Sequence, residues 1–285
     1  MLKFDNMELL IISIICSVSV GILFKMYKLS SNEYYFSFFC GYIVCFLLSN
    51  IFFEINFNLL EFSPKYIFII LALSLLMPSL FLFLNKSIQT NGIAKTDLAQ
   101  RISLIIPILA SFTLFNESFS YSKFYSITLG LLSVFLIFDK SEKKIHTFNK
   151  YSLVIIFLGY GFVDILFKSL TKIPFQSALS FVFIGCIITT LFYIIIKKVK
   201  FSLKPIIFGI LLGCLNFTNI YSYMLAHQEF FDSPTIVFAT MNLGVISLGA
   251  LIGKVFFKEQ LSNKNILGIV LSFFVILILT FKLFD

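Results

Sequence analysis

The sequence predicts an all-α integral membrane protein of ten transmembrane helices, arranged as two inverted five-helix repeats. Three observations carry that expectation. Of 285 residues, 59% are hydrophobic and only 13% charged, whereas water-soluble domains hold roughly 45–50% apolar and about 25% charged residues. The apolar residues, 39 phenylalanines among them, fall into ten runs, each close to the ~20 residues that span a hydrocarbon core of ~30 Å. Finally, short motifs recur at an offset of 142–143 residues.

In order, the spans are expected at 8–25, 34–53, 66–84, 92–114 and 124–138, then at 151–170, 177–197, 205–226, 233–257 and 265–284. Residues 1–138 form the first repeat, 139–150 a central polar loop, and 151–285 the second repeat. Each span must be helical, because an open strand edge in hydrocarbon leaves backbone groups unpaired. A membrane barrel would show alternation over segments of about ten residues instead, and the runs do not alternate. The first run is read as a retained span rather than a secretory signal: Asp5 and Glu8 stand beside a single Lys3, and no small-x-small cleavage site follows.

Composition also excludes whole classes. A disordered chain is poor in aromatic and branched residues, and this one is rich in both. The net charge of +8 comes from 21 lysines and one arginine against 14 acids, with most lysines between apolar runs. That is the pattern of loops at a lipid headgroup surface, not of a basic nucleic-acid groove, so the expected partners are the bilayer and a small-molecule substrate, with no nucleic acid. Cys16, Cys40, Cys45, Cys186 and Cys214 all lie inside apolar runs without metal-ligand spacing. They read as small buried hydrophobes, with no metal or cofactor implied.

The repeat is the most informative feature. Gly21-Ile22-Leu23-Phe24-Lys25 returns as Asp164-Ile165-Leu166-Phe167-Lys168, 143 residues later, and Asn116-Glu117-Ser118-Phe119-Ser120 returns as Lys258-Glu259-Gln260-Leu261-Ser262, 142 residues later. Five spans per unit is an odd number, so the second copy crosses the membrane in the opposite sense. Inverted-topology repeats of this kind build many secondary transporters, whose substrate site lies near the midplane between the halves.

On these residues the chain resembles the drug/metabolite transporter superfamily, of the ten-span EamA-type permeases. The resemblance covers nearly the whole chain and rests on the two five-span halves and the turns at Glu117 and Glu259, with Ser126 and Gly268 nine residues on. It implies export or exchange of a small metabolite, such as an amino acid, through a central cavity, by a monomer or homodimer in a bacterial cytoplasmic membrane. The family's usual arrangement has both termini in the cytoplasm. The lysines oppose that arrangement: 14 lie in or beside loops after odd-numbered spans and six on the other side, which by the positive-inside rule places the termini outside. The orientation stays open between the two.

Ionisable groups inside a span cost about 2.5–3.5 kcal/mol each on insertion scales and usually face a cavity. Arg101, the one arginine, is deep in the fourth span. A guanidinium grips a carboxylate or phosphate through two parallel bonds, so Arg101 reads either as an anion-binding residue or as the partner of Asp97, four residues earlier. Gln100 shares the helix, and Lys95, near its end, is expected to reach for the headgroups. Asp164 is deep in the sixth span, and its repeat mate is Gly21, so the fold does not demand the charge. It reads as the coupling carboxylate of a proton-coupled carrier, or as an ion-pair partner of Lys168 or Arg101.

Asn216, Asn219, Tyr221 and Tyr223 in the eighth span, and Thr240 and Asn242 in the ninth, offer directed hydrogen bonds to a cavity; the alternative is helix-to-helix contact. Asn242 is the repeat mate of Gln100. Tyr160, between Gly159 and Gly161, is a candidate aromatic wall. Gly249-x-x-x-Gly253 reads as a close-packing motif, Pro78 and Pro107 as kinks, and His227, Glu229 and Asp232 as a solvated turn. No phosphate-binding Gly-x-x-x-x-Gly-Lys-Ser/Thr loop is present. An intramembrane enzyme acting on lipid-linked substrates is the alternative class, but it needs a His-rich motif or paired acids, which the chain lacks. The expected function is therefore non-enzymatic transport.

Overall fold

The computed structural model describes residues 7–27, 29–55, 58–138, 150–199, 203–258 and 260–281. Residues 139–149 of the expected central loop, and Glu259, lie outside them. Among the described residues there are eleven α-helices and no strand: α1 (Met7–Met26), α2 (Ser31–Phe52), α3 (Pro64–Asn91), α4 (Ile93–Ile102), α5 (Ile105–Thr113), α6 (Tyr121–Ile137), α7 (Lys150–Leu170), α8 (Phe175–Lys197), α9 (Lys204–Glu229), α10 (Pro234–Phe257) and α11 (Asn263–Phe281). Eight of these are long and apolar enough to cross a membrane; α6 is a shorter apolar helix. The chain is thus an all-helical integral membrane protein.

Local chemistry sets the helix ends. Ser30 and Glu33 form a reciprocal capping box at the start of α2, and Ser120 accepts from the backbone of Lys123 at the start of α6. Pro64, Pro205 and Pro234 open α3, α9 and α10, where their missing N–H groups cost nothing. Gly92, at φ 84°, ends α3 and begins α4 in a conformation closed to most side chains. Helix α3 therefore runs well past its expected end at 84.

The expected fourth span is broken. Helices α4 and α5 meet at Ser103 and Leu104, and the cause is Pro107. Its ring displaces the carbonyl four residues earlier, that of Ser103, and it has no N–H to offer. The Ser103 carbonyl accepts instead from Ile106 N–H at 2.9 Å, and Leu104 N–H bonds to the Arg101 carbonyl at 3.2 Å, so the chain tightens through the break. Pro78, by contrast, lies within the unbroken α3.

Helix α9 packs against α1 and α2; α8 packs against α2 and α3; α7 rests on α3, α4 and α5. Helix α10 touches α1, α5, α6 and α11, and α6 pairs with α11. Phe24, Tyr34, Phe38, Phe81 and Phe208 interlock their rings to bind α1, α2, α3 and α9 together. A second apolar core joins α6, α10 and α11 around Val134, Leu243 and Val275, with Leu98 and Ile102 of α4 against it.

Small residues set the closest approaches, though not where the sequence motif pointed. A Cβ on Gly213 would lie 2.5 Å from the Gly41 carbonyl, and one on Gly209 would lie 2.6 Å from that of Ser37. The α2–α9 contact is therefore backbone against backbone, and the Cys45 thiol donates to the Gly213 carbonyl at 3.3 Å. At Gly249 a Cβ would meet nothing within 4 Å, so that half of the motif stands open, while Gly253 is buried. The cysteines divide as well: Cys16, Cys45 and Cys186 are buried, Cys40 is half-buried and Cys214 is exposed.

The bundle has two distinct ends. At one, the last turns of α7 and α9 meet the first turn of α10 and the turn before α6. Buried Glu117 pairs with Lys123 at 3.1 Å and accepts from Thr235 N–H at 3.0 Å and Thr235 Oγ1 at 2.6 Å, capping α10. At the other end, Asn91 donates to Ser87 at 3.0 Å and Ser152 at 2.7 Å, while Ser87 and Thr96 share a 2.9 Å bond. There Asn265 also donates to the last carbonyls of α6, Leu136 at 3.0 Å and Ile137 at 2.7 Å.

Candidate functional site

Three helices bring the deep polar side chains together. Asp97, Gln100 and Arg101 occupy positions i, i+3 and i+4 of α4, so they share one face, while Leu98 and Ile102 turn the other face into the α6–α10–α11 core. That polar face stands directly before the break at Ser103. Tyr160 and Asp164, one turn apart, share a face of α7, which packs on α4 and α5. On α9, Tyr223 donates its phenolic O–H to Asp164 Oδ1 at 3.1 Å. The charge on Arg101 is felt at Asp97, Tyr160 and Asp164, so the four form one electrostatic cluster.

Within this cluster the charges are left unpaired. Among the described residues, the Arg101 side chain makes no hydrogen bond and no ion pair, and the Asp97 carboxylate makes none either, despite the favourable i,i+4 spacing. The expected internal pair is absent. Asp97, Gln100, Arg101, Tyr160 and Asp164 are each half-buried.

Lys168 does not pair with Asp164. It is 1% exposed, and its Nζ donates to the carbonyls of His227 at 2.9 Å and Phe231 at 3.3 Å. It thereby neutralises the negative end of α9. The ammonium also sits 4.6 Å above the Phe231 ring and 6.0 Å from that of Phe115. His227 is corrected too. It belongs to the last turn of α9 and is fully buried between Tyr223 and Phe238, at ring separations of 4.7 and 4.6 Å, rather than lying in a solvated turn. Glu229 and Asp232 are exposed.

The remaining candidates separate. Asn219 bonds α9 to α1: its Nδ2 donates to the Ser13 carbonyl at 2.7 Å and its own carbonyl accepts from Ser13 Oγ at 3.2 Å. Asn242 is buried and donates to Phe238 of its own helix at 3.1 Å. Tyr221 stacks among Phe53, Phe175 and Phe217. Asn216 is half-buried, shares a face with Tyr223, and makes no side-chain bond among the described residues. Gly159 and Gly161 are contact points, against Leu80 of α3 and Ile106 of α5. Lys95 is half-buried near the start of α4.

Sequence reasoning missed Tyr42 of α2. Its hydroxyl is buried without a hydrogen-bond partner among the described residues, within electrostatic reach of Tyr160 and beside Cys45 and Cys186. Nothing in its apolar run marks it out from the other tyrosines. The buried network of Ser87, Asn91, Thr96 and Ser152 was equally invisible, since each falls near an expected span boundary.

The fold and this buried charged cluster define a helical integral membrane protein with polar groups held at depth. The chain belongs to the family of an uncharacterized protein of Haemophilus influenzae (strain ATCC 51907 / DSM 11121 / KW20 / Rd), with which it is 37% identical over 279 residues, covering 93% of this chain and 95% of the relative. No family model matches the chain. Among solved structures, the crystal structure of one protein superposes with a TM-score of 0.71 over 99% of both chains at 11% identity, a likeness of fold alone.

Proposed function

We propose that this protein is a secondary transporter, a permease or exporter of a small polar metabolite such as an amino acid. It works by alternating access through a central cavity, as a member of the EamA-type drug/metabolite transporters in a bacterial cytoplasmic membrane. The observation that carries this reading is the unpaired Arg101 beside the unpaired Asp97 at the break of a span. Two opposite charges held apart at low dielectric complement a ligand that carries both, its carboxylate on the guanidinium and its ammonium on a carboxylate. Broken helices beside midplane sites are the usual transporter solution. Tyr160, Gln100 and Asn216 supply further donors and acceptors, and Asp164 is the coupling residue.

Three features support the inverted repeat and, with it, a ten-span count in which α4 and α5 together make one crossing and α6 another. Residues Asn116 and Lys258, 142 apart, adopt the same left-handed backbone at φ 54° and 53°. Lys25 lies 3.7 Å from the Phe257 ring and its mate Lys168 lies 6.0 Å from Phe115, the mate of Phe257. The packing is reciprocal as well: α1 meets α9 and α10 as α7 meets α3 and α4–α5, while α2 meets α8 and α6 meets α11 across the halves.

The test is a thermal-shift screen of the purified protein against amino acids, nucleosides and phosphorylated metabolites, followed by uptake into proteoliposomes. A stabilising compound that is transported by the wild type and no longer binds Arg101→Ala is the expected result. Uptake unchanged in Arg101→Ala would overturn the site, and the absence of any transported compound would overturn the class. Asp164→Asn is expected to flatten the pH profile of uptake.

A further inference from the structure

Helices α7 and α9 meet over a short stretch only, and polar bonds rather than broad packing join them. The firm neighbours of α7 are α3, α4 and α5; those of α9 are α1 and α2. Between the two helices stand two rungs, one helical turn apart. The inner rung is the Tyr223 O–H donated to Asp164 at 3.1 Å. The outer rung is the Lys168 ammonium on the carbonyls of His227 and Phe231 at 2.9 and 3.3 Å. Asp164 and Lys168 are i,i+4 on α7, and Tyr223 and His227 are i,i+4 on α9, so the rungs are stacked. Beyond them the Phe231 and Phe115 rings close over the ammonium.

Three properties make this joint releasable. Hydrogen-bonded rungs exchange for water or ligand at small net cost, unlike an interlocked apolar interface. His227 is fully buried with neither ring nitrogen bonded among the described residues, so closure leaves two orphan groups that any wetter state would satisfy. And the inner rung adjoins the charged face of α4, since Asp164 keeps accessible surface and lies in the field of Arg101. A ligand ammonium is a stronger partner for a carboxylate than a phenol is.

We infer that the α7–α9 seam is the gate at this end of the bundle, and that an ammonium-bearing ligand opens it by taking Asp164 from Tyr223. The inference rests on the transport reading for its ligand. Once the inner rung is lost, only the Lys168 ammonium and the longer Gln228 Nε2 bond to the Thr171 carbonyl, at 3.4 Å, hold the last turn of α9, and the seam opens as the helix ends part. Each helix keeps its own firm neighbours throughout.

Hydrogen–deuterium exchange on the full chain in lipid nanodiscs tests this. Tyr223→Phe and Lys168→Gln each remove one rung, and each is expected to speed exchange at residues 224–233 about fivefold, the effect of losing one net hydrogen bond. Residues 205–215, on the α2 side of α9, should exchange at the wild-type rate. L-alanine and ethylamine should speed exchange at the seam in the wild type, propionate should not, and Asp164→Asn should respond to none of them. Wild-type exchange at the seam in both rung variants, or equal acceleration along all of α9, would overturn the gate; a response to propionate but not ethylamine would overturn its trigger. Seam opening in the variants with no uptake of any amine would support the gate and count against the transport reading instead.

Discussion

An arginine with no partner inside a helical bundle is costly to keep, by about 2.5–3.5 kcal/mol on insertion scales. Arg101 carries that cost beside an equally unpaired Asp97. Arg101→Lys keeps the charge but loses the planar fork. Losing one charge-assisted bond, about 1.5–3 kcal/mol, should lower uptake roughly tenfold to a hundredfold, with membrane yield unchanged; a lysine variant transporting at the wild-type rate would show that charge alone suffices. Glu117 makes the contrasting case. Its carboxylate is buried against Lys123 and caps α10 through Thr235, so Glu117→Ala strands a buried ammonium and a helix terminus together. Breaking such a pair costs about 3–5 kcal/mol, and thermal unfolding of the variant should begin several degrees lower. The sequence could not separate such roles at every position. Arg101 and Asn219 both read as polar groups at depth, but only the packing of α1 against α9 gives Asn219 its partner in Ser13. Lys168 looked like a mate for Asp164 because i,i+4 spacing is visible in one dimension and the end of α9 is not.

Among the helices, hydrophobic length makes eight elements plain from the order of amino acids alone, because lipid fixes how long an apolar run must be. The break between α4 and α5 was only half legible. Pro107 announced a disturbance, but the residue that pays for it is Ser103, four positions earlier. Which small residues sit at a helix contact was not legible at all. Gly209-x-x-x-Gly213 and Gly249-x-x-x-Gly253 are equivalent as motifs, yet Gly209 and Gly213 lie against backbone whereas Gly249 stands open. Valine at Gly213 should therefore push α2 from α9 and abolish recovery of folded protein from the membrane, whereas Gly249→Val should be recovered at the wild-type level. Equal recovery of both on size-exclusion chromatography would mean that the α2–α9 contact yields more easily than its geometry implies.

Across the whole molecule, the offset of 142–143 residues between like motifs is legible in the order of amino acids, but the contacts made by the matched positions are not. The matched lysines and turns gain meaning from what they touch. Lys25 reaches Phe257 at one end of the bundle, and Lys168 reaches Phe115 at the other. If five crossings separate equivalent points, those ends face opposite sides of the membrane. This depends on the two least regular elements, the broken α4–α5 and the short α6, each counting as a crossing. Were just one of them to fail, the ends of α1 and α7 would share a side. Single cysteines at Met26 and Lys172, both exposed positions just at these ends, decide the matter in a background freed of native thiols. A membrane-impermeant maleimide applied to sealed vesicles of one orientation should label one of the two positions and spare the other, and inverting the vesicles should exchange them. Labelling of both from the same side would leave the chain with an even number of crossings between them, and no inverted repeat could survive that result.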